Sequence, residues 1–197
     1  MNYKKSIPFF ITLISVTAAG PVAMQLYIPS VPSIKENFDV SLGVVQYAFS
    51  ISLVTMAISM LFYGPLSDKY GRKFILISGI TIFIIGSLIA VFSTNVIILI
   101  IGRVLQSIGG AGGLVISRAI VRDIYGPNEA TRVLGTLITI FIAAPMIAVI
   151  LGGFLSDYFG WRSIFIVTVF IGIIILLLII FFLPEIKNNN NEINNIK

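Results

Sequence analysis

Apolar residues in this chain come in long runs, not in alternation with polar ones. Six stretches are nearly uninterrupted: Ile7–Ile28, Gly43–Tyr63, Phe74–Phe92, Val96–Ser117, Val133–Leu155 and Ser163–Leu183. Each has about the 20 residues a helix needs to cross the hydrocarbon core of a bilayer. Continuous runs predict helices, whereas a membrane barrel needs short strands of alternating polarity. The expected fold class is an all-α membrane protein with six transmembrane helices. The first run opens like a signal peptide, with Lys4 and Lys5 ahead of IPFFITLISV. It continues past Gly20 to Ile28, however, and so reads as a spanning helix.

The polar segments between the runs add organisation. LSDKYGRKFI begins at Leu66, after the second run, and LSDYFGWRSI begins at Leu155, after the fifth. Leu, Ser, Asp, an aromatic and Gly recur at an offset of 89 residues. Each copy joins the second and third helices of a triplet. Three is odd, so the second triplet is expected to be inverted, giving a 3+3 inverted repeat. Such repeats are a transporter device, with the substrate site at their interface. Residues 1–184 are expected to form the six-helix bundle. Residues 185–197, ending KNNNNEINNIK, read as a disordered cytoplasmic tail.

Composition agrees with the runs. The chain has 197 residues, 57% hydrophobic and 11% charged, with mean hydropathy +1.05. Soluble domains are about a quarter charged, so the lipid bilayer is the expected partner. There is no histidine and no cysteine. That excludes disulfides, thiolate chemistry, a Ser-His hydrolase and nearly all zinc or haem sites. No metal set, nucleotide loop or nucleophile–base pair is visible, so neither an enzyme nor a bound cofactor is expected. The net charge of +5 reads as topology, not as a nucleic-acid footprint. With the N-terminus inside, ten basic residues are cytoplasmic, against three on the other side (Lys35, Arg103 and Arg162). Both termini are therefore expected in the cytoplasm.

The candidate chemistry is sparse. GPLSDKYGRK gathers four charges between two spans. Gly64 and Pro65 are expected to end the second helix, and Gly71 to permit a sharp turn. Asp68 is expected beside a helix N-terminus, with Lys69, Arg72 and Lys73 holding the cytoplasmic side. Arg103 lies seven residues into the fourth helix, about 10 Å along its axis. A charge at that depth faces a cavity or a partner, or snorkels to the surface. Gln106 shares its face. Gly109, Gly110, Gly112 and Gly113 suit close helix approach. In the first helix Pro21, Pro29 and Pro32 should loosen the backbone. Gln25 is expected to make an interhelical hydrogen bond or touch substrate, and Tyr27 to face an interface or pocket. Pro145, Gly152 and Gly153 mark the fifth helix as bent and closely packed.

Two of these strings resemble signatures of the major facilitator superfamily. Gly64, Leu66, Asp68, Lys69, Gly71, Arg72 and Lys73 fill the pattern of its loop between helices 2 and 3. Arg103, Gln106 and Gly109 fit its helix-4 pattern R-x-x-Q-x-x-G. The resemblance implies that the loop's charges latch a cytoplasmic gate against a helix of a second six-helix half. It also implies that the arginine serves proton coupling. Together with LYIPSVP, SRAIVRDIYG, LGGFLSDYFGWRSIF and LPE, the strings resemble the bicyclomycin-resistance (Bcr/CflA) type of multidrug exporter, from about Pro21 to Glu185. There are departures. Gln25 stands where many relatives have an aspartate, and Ala148 and Val149 where antiporters carry Gly-Pro. The family has twelve helices and six are present here. The resemblance thus implies an inner-membrane exporter of drug-like molecules, or its N-terminal half, driven by a proton gradient. A metabolite transporter and a truncated, non-transporting remnant are the alternatives. A second half or a homodimer mate would complete the cavity.

Overall fold

The computed structural model describes residues 7–125 and 127–185; the remainder of the asparagine-rich tail lies outside the described residues. Among them every regular element is a helix. α1 (Ile7–Tyr27) passes through a 3-10 turn (Ile28–Ser30) into α2 (Val31–Phe38), and together these make one 32-residue span. The other five are α3 (Leu42–Tyr70), α4 (Arg72–Val91), α5 (Val96–Ile124), α6 (Pro127–Phe159) and α7 (Arg162–Phe182). All six spans are long and apolar enough to cross a membrane.

Local chemistry explains the joints. Pro29 and Pro32 each fall in the first positions of the helix they enter, where no backbone N–H is needed. Asp39 ends α2 in the left-handed region, at φ 50°. Asn95 caps α5, its Oδ1 accepting from Ile98 N at 2.9 Å. Several helices run beyond the apolar stretch that predicts them. α5 continues from Ser117 to Ile124, for example. The hydrocarbon core selects only about 30 Å of a 40–45 Å bilayer, so helical polar ends extend into the headgroup layer.

One expectation is overturned. α3 does not stop at Gly64–Pro65 but continues to Tyr70, with Pro65 inside it. The proline forfeits one backbone bond, yet neighbouring packing carries the helix through. The break falls at Gly71 alone, whose φ of 98° suits glycine. GPLSDKYGRK is therefore mostly helix: the end of α3, one hinge residue, and the start of α4.

The inverted repeat is present. Exchanging the triplets matches α1 with α5, α3 with α6, and α4 with α7. Under that exchange the observed pairing of α3 with α5 becomes that of α6 with α1, and α4 with α5 becomes α7 with α1. The contacts α1–α5 and α4–α7 map onto themselves. The positive-φ glycines among the described residues are Gly71 and Gly160, at φ 98° and 77°. They stand at the same place in the two motif copies.

The self-paired helices cross closely. A Cβ on Gly110 would lie 2.9 Å from the Cα of Gly20. One on Gly113 would overlap the Val16 carbonyl, and in the α4–α5 pair one on Gly109 would overlap the backbone of Gly79 and Phe83. α1 and α5 are the most buried spans, and α6 the least. Large apolar side chains such as Phe62 of α3 and Ile150 of α6 point outward.

Candidate functional site

Two polar clusters interrupt the apolar bundle. The deeper one centres on Arg103, which is only 1% exposed. Its Nη1 donates to Gln106 Oε1 at 2.6 Å and to the Ala23 carbonyl at 3.4 Å. The guanidinium lies over the Tyr27 ring, 4.5 Å from its centroid, a favourable place for a desolvated cation. Tyr27 is itself held by donating to the Val45 carbonyl at 3.0 Å. Gln106 Nε2 donates to Ser87 Oγ at 2.8 Å and Thr168 Oγ1 at 3.2 Å. Residues of α1, α4, α5 and α7 thus meet at one point.

The cluster is short of negative charge. Every acid among the described residues is exposed, and each sits near a helix end. Arg103 Nε and Nη2 are buried with no hydrogen-bond partner. Burying an unsatisfied donor costs about 1–3 kcal/mol, more when it is charged. The guanidinium is packed against Gly20, Ala23, Met24, Met56 and Phe83, with no cavity beside it large enough for a water molecule. The arrangement can attract an anionic group, and none of the cluster's own side chains supplies one.

Placement against expectation is mixed. Arg103 neither snorkels nor faces lipid or an open groove, as a lone half would suggest; the crossing of α1 and α5 encloses it. Gln106 and Tyr27 join it. Gln25 does not. It is half-buried and its side chain makes no hydrogen bond among the described residues. Ala23 and Tyr27, four apart, turn toward Arg103, and a residue two positions from each lies about 200° round the helix. Ser87 and Thr168 were missed because a serine or threonine in a span carries no spacing signal.

The second cluster is at the α3–α4 turn. Arg72 is buried, with 7% of its side chain exposed. Its Nη2 pairs with Asp68 Oδ1 at 2.6 Å, its Nε with Asp123 Oδ2 at 3.1 Å, and its Nη1 donates to Ser67 Oγ at 2.6 Å. The last turns of α3 and α5 are thereby tied to the first turn of α4. Asp68, in the last turn of α3, thus pairs with the first residue of α4, one turn on. Lys73 donates to the Ile180 carbonyl at 2.8 Å, near the end of α7. Lys69 is exposed, its ammonium 5.1 Å from the Tyr70 ring centroid. Gly64 has no close neighbour that would exclude a side chain, its nearest being Val115 at 3.9 Å. Asp123 went unnoticed in the sequence; it lies beyond the apolar run, 51 positions from its partner.

The Asp68 side chain is half exposed and that of Asp123 only 28% exposed, so solvent screens the first pair more. Asp123→Asn is expected to lower stability by about 1 kcal/mol, and Asp68→Asn by less. Thermal unfolding of the two variants in the same detergent checks the order.

The second motif copy has diverged. Trp161 stands where Arg72 would, and Asp157 is exposed without an ion pair among the described residues. Arg162 stacks 4.2 Å over the Trp161 ring and donates to the Ser93 carbonyl at 3.1 Å. In the fifth span, Gly152 packs so closely on α1 that a Cβ there would lie 2.6 Å from the Leu26 carbonyl oxygen, while Gly153 has only Pro29 at 3.9 Å. Pro145 lies inside α6.

Comparison with known proteins fits this architecture. The family model of the Major Facilitator Superfamily matches residues 12–195. A bicyclomycin resistance protein homolog of Haemophilus influenzae is 33% identical over 98% of this chain, which covers 49% of that relative. Multidrug resistance protein D of Escherichia coli is 29% identical over 84% of the chain and 42% of its own length. The chain spans about half the length of the curated relatives it matches. Among solved structures, the proton:xylose symporter XylE superposes with a TM-score of 0.82 at 14% identity, covering 94% of this chain and 46% of that one. A bacterial homolog of the lysosomal transporter Spinster, in an inward-facing conformation, gives 0.78 at 19% identity, covering 91% and 44%. These two show the fold alone.

Proposed function

The chain belongs to the major facilitator superfamily, and from that premise we propose that it exports drug-like amphipathic molecules across the bacterial inner membrane in exchange for protons. Family and fold indicate a membrane transporter, not an enzyme. The observation that carries the export reading is the buried Arg103 with two unpartnered donors beside Gln106. A cation so placed is costly in a membrane protein and marks a substrate or proton route. Apart from Arg72, the other polar side chains buried in the bundle are serine and threonine hydroxyls, several of them spent on a carbonyl of their own helix, which favours apolar cargo over a sugar. The relatives' names, bicyclomycin resistance and multidrug resistance, support the same cargo class.

In this reading both termini are cytoplasmic and the Asp68–Arg72–Asp123 cluster lies on the inner rim. Asp68, Lys69, Arg72 and Lys73 gate, with Gly71 as the hinge. Arg103, Gln106 and Tyr27 border the route, and Gln25 meets it from the other side of α1. The apolar faces of α3 and α6 turned away from α4 and α7 receive a second six-helix half or a homodimer mate. Alternating access is then the rocking of one half against the other about a midplane site. The acid that accepts the proton comes from that partner.

Membrane vesicles carrying the protein, loaded with a membrane-permeant fluorescent dye, test this. Dye should move against its gradient when a proton gradient is present, and an uncoupler should stop it. Dye retention equal to that of empty vesicles, with and without the uncoupler, overturns the proposal.

A further inference from the structure

The inverted repeat has a consequence outside the polar clusters. Two apolar clefts open on the sides of the bundle. The first lies between α3 and α4 and encloses about 490 Å³; the second lies between α6 and α7 and encloses about 510 Å³. Their linings coincide under the 89-residue offset. Ile58 corresponds to Ile147, Leu66 to Leu155 and Ile82 to Ile171, and seven lining positions pair in this way. The floors correspond too: α5 supplies Ile108 under the first, and α1 supplies Val22 and Leu26 under the second. Every residue around the second cleft is apolar. In the first, the hydroxyls of Tyr63 and Ser78 are spent on backbone carbonyls, at 2.9 and 3.0 Å.

Length and charge identify an occupant. Thr55 lies eleven residues before Leu66 on α3, and Ala144 eleven before Leu155 on α6. Either is about 16 Å of helix. One leaflet of a roughly 30 Å hydrocarbon core is about 15 Å deep. Each cleft therefore begins near a turn and ends near the bilayer centre. The turn beside the first carries Lys69 and Lys73 with Asp68, which is paired to Arg72, and the turn beside the second carries Arg162 with Asp157; Lys73 and Arg162 each spend one donor on a backbone carbonyl and keep others for a phosphate. Inversion places these turns at opposite faces. A drug site would offer a few convergent polar groups, and these clefts offer none that is free except small hydroxyls at Thr55 and Ser59.

We infer that each cleft holds one acyl chain of a bilayer phospholipid, the two coming from opposite leaflets, with the phosphate beside the basic residues of the adjoining turn. The protein is thus a carrier of two bound lipids, related by the same pseudo-symmetry as its helices. This stands independently of what the chain transports.

Native mass spectrometry of the full chain, released from phosphatidylglycerol nanodiscs, reads the stoichiometry. Two retained phospholipids are expected. Thr55→Phe and Ala144→Phe each fill the mid-bilayer end of one cleft, and each should retain one lipid; the double variant should retain none. Ile150→Phe, on an exposed face outside both clefts, should still retain two. Arg162→Gln leaves the second cleft open and removes its cation. It should weaken one of the two lipids about fivefold, the worth of one basic residue near a headgroup layer, and it decides the matter if a phenylalanine variant loses its helicity. No retained phospholipid on the unsubstituted chain, equal loss in Ile150→Phe, or two equally tight lipids in Arg162→Gln together with either filled variant overturns the inference.

Discussion

The double variant Arg103→Met/Gln106→Leu is expected to be more stable than the natural chain while losing all proton-linked dye export. The stability gain follows from what is left behind. Arg103 is desolvated, has no acid within reach, and leaves Nε and Nη2 unpartnered. Replacing such buried ionic groups by apolar side chains of similar volume is neutral or stabilising by about 1–4 kcal/mol. Removing Gln106 orphans nothing, because Ser87 Oγ already donates to the Phe83 carbonyl and Thr168 Oγ1 to that of Phe165, both at 2.8 Å. Arg103→Met alone should show little gain, since Gln106 Oε1 then loses its 2.6 Å partner. Thermal unfolding in one detergent, read beside vesicle export, separates the cases. A loss of several kcal/mol in the double variant would mark the cluster as a structural staple and remove its claim to function. Stability given up at one point, with no structural return, is what a working site looks like.

How much of this was open to a reader of the sequence depended on which force set each feature. Bilayer thickness fixes run length, so six crossings could be counted from the chain. Backbone sterics demand glycine at Gly71 and Gly160, so the two motif copies announced the inverted repeat. Arg103 and Gln106 were legible as a pair because they lie one turn apart on a single helix. Features set by packing between distant segments were not. Pro65 looks like a helix end by propensity, and only tertiary contacts keep α3 intact beyond it. Asp123 finds Arg72 across a helix–helix junction, and the hydroxyls of Ser87 and Thr168 reach Gln106 from two further spans. Gln25 is read from its polarity at depth as a hydrogen-bonding or substrate-contacting group; the helical phase set by Ala23 and Tyr27 turns it away from Arg103.

The other large effect should come from the helix crossing that encloses Arg103. Gly113→Ala adds a single methyl, and that methyl falls on the Val16 carbonyl of α1. Backbone cannot yield as a flexible side chain can, so α1 and α5 must separate. Gly109→Ala presses likewise on Gly79 and Phe83 of α4. Overpacking of this kind costs about 1–3 kcal/mol, sometimes more, and it outweighs the gain of up to about 1 kcal/mol that alanine brings to a helix over glycine. Gly135→Ala supplies the contrast, since a Cβ there meets nothing within 4 Å. That variant keeps the propensity gain and should melt higher than the natural chain, while the other two melt lower. If all three melted alike, the close approach of α1, α4 and α5 would not be what holds the bundle, and the enclosure of Arg103 would need another cause.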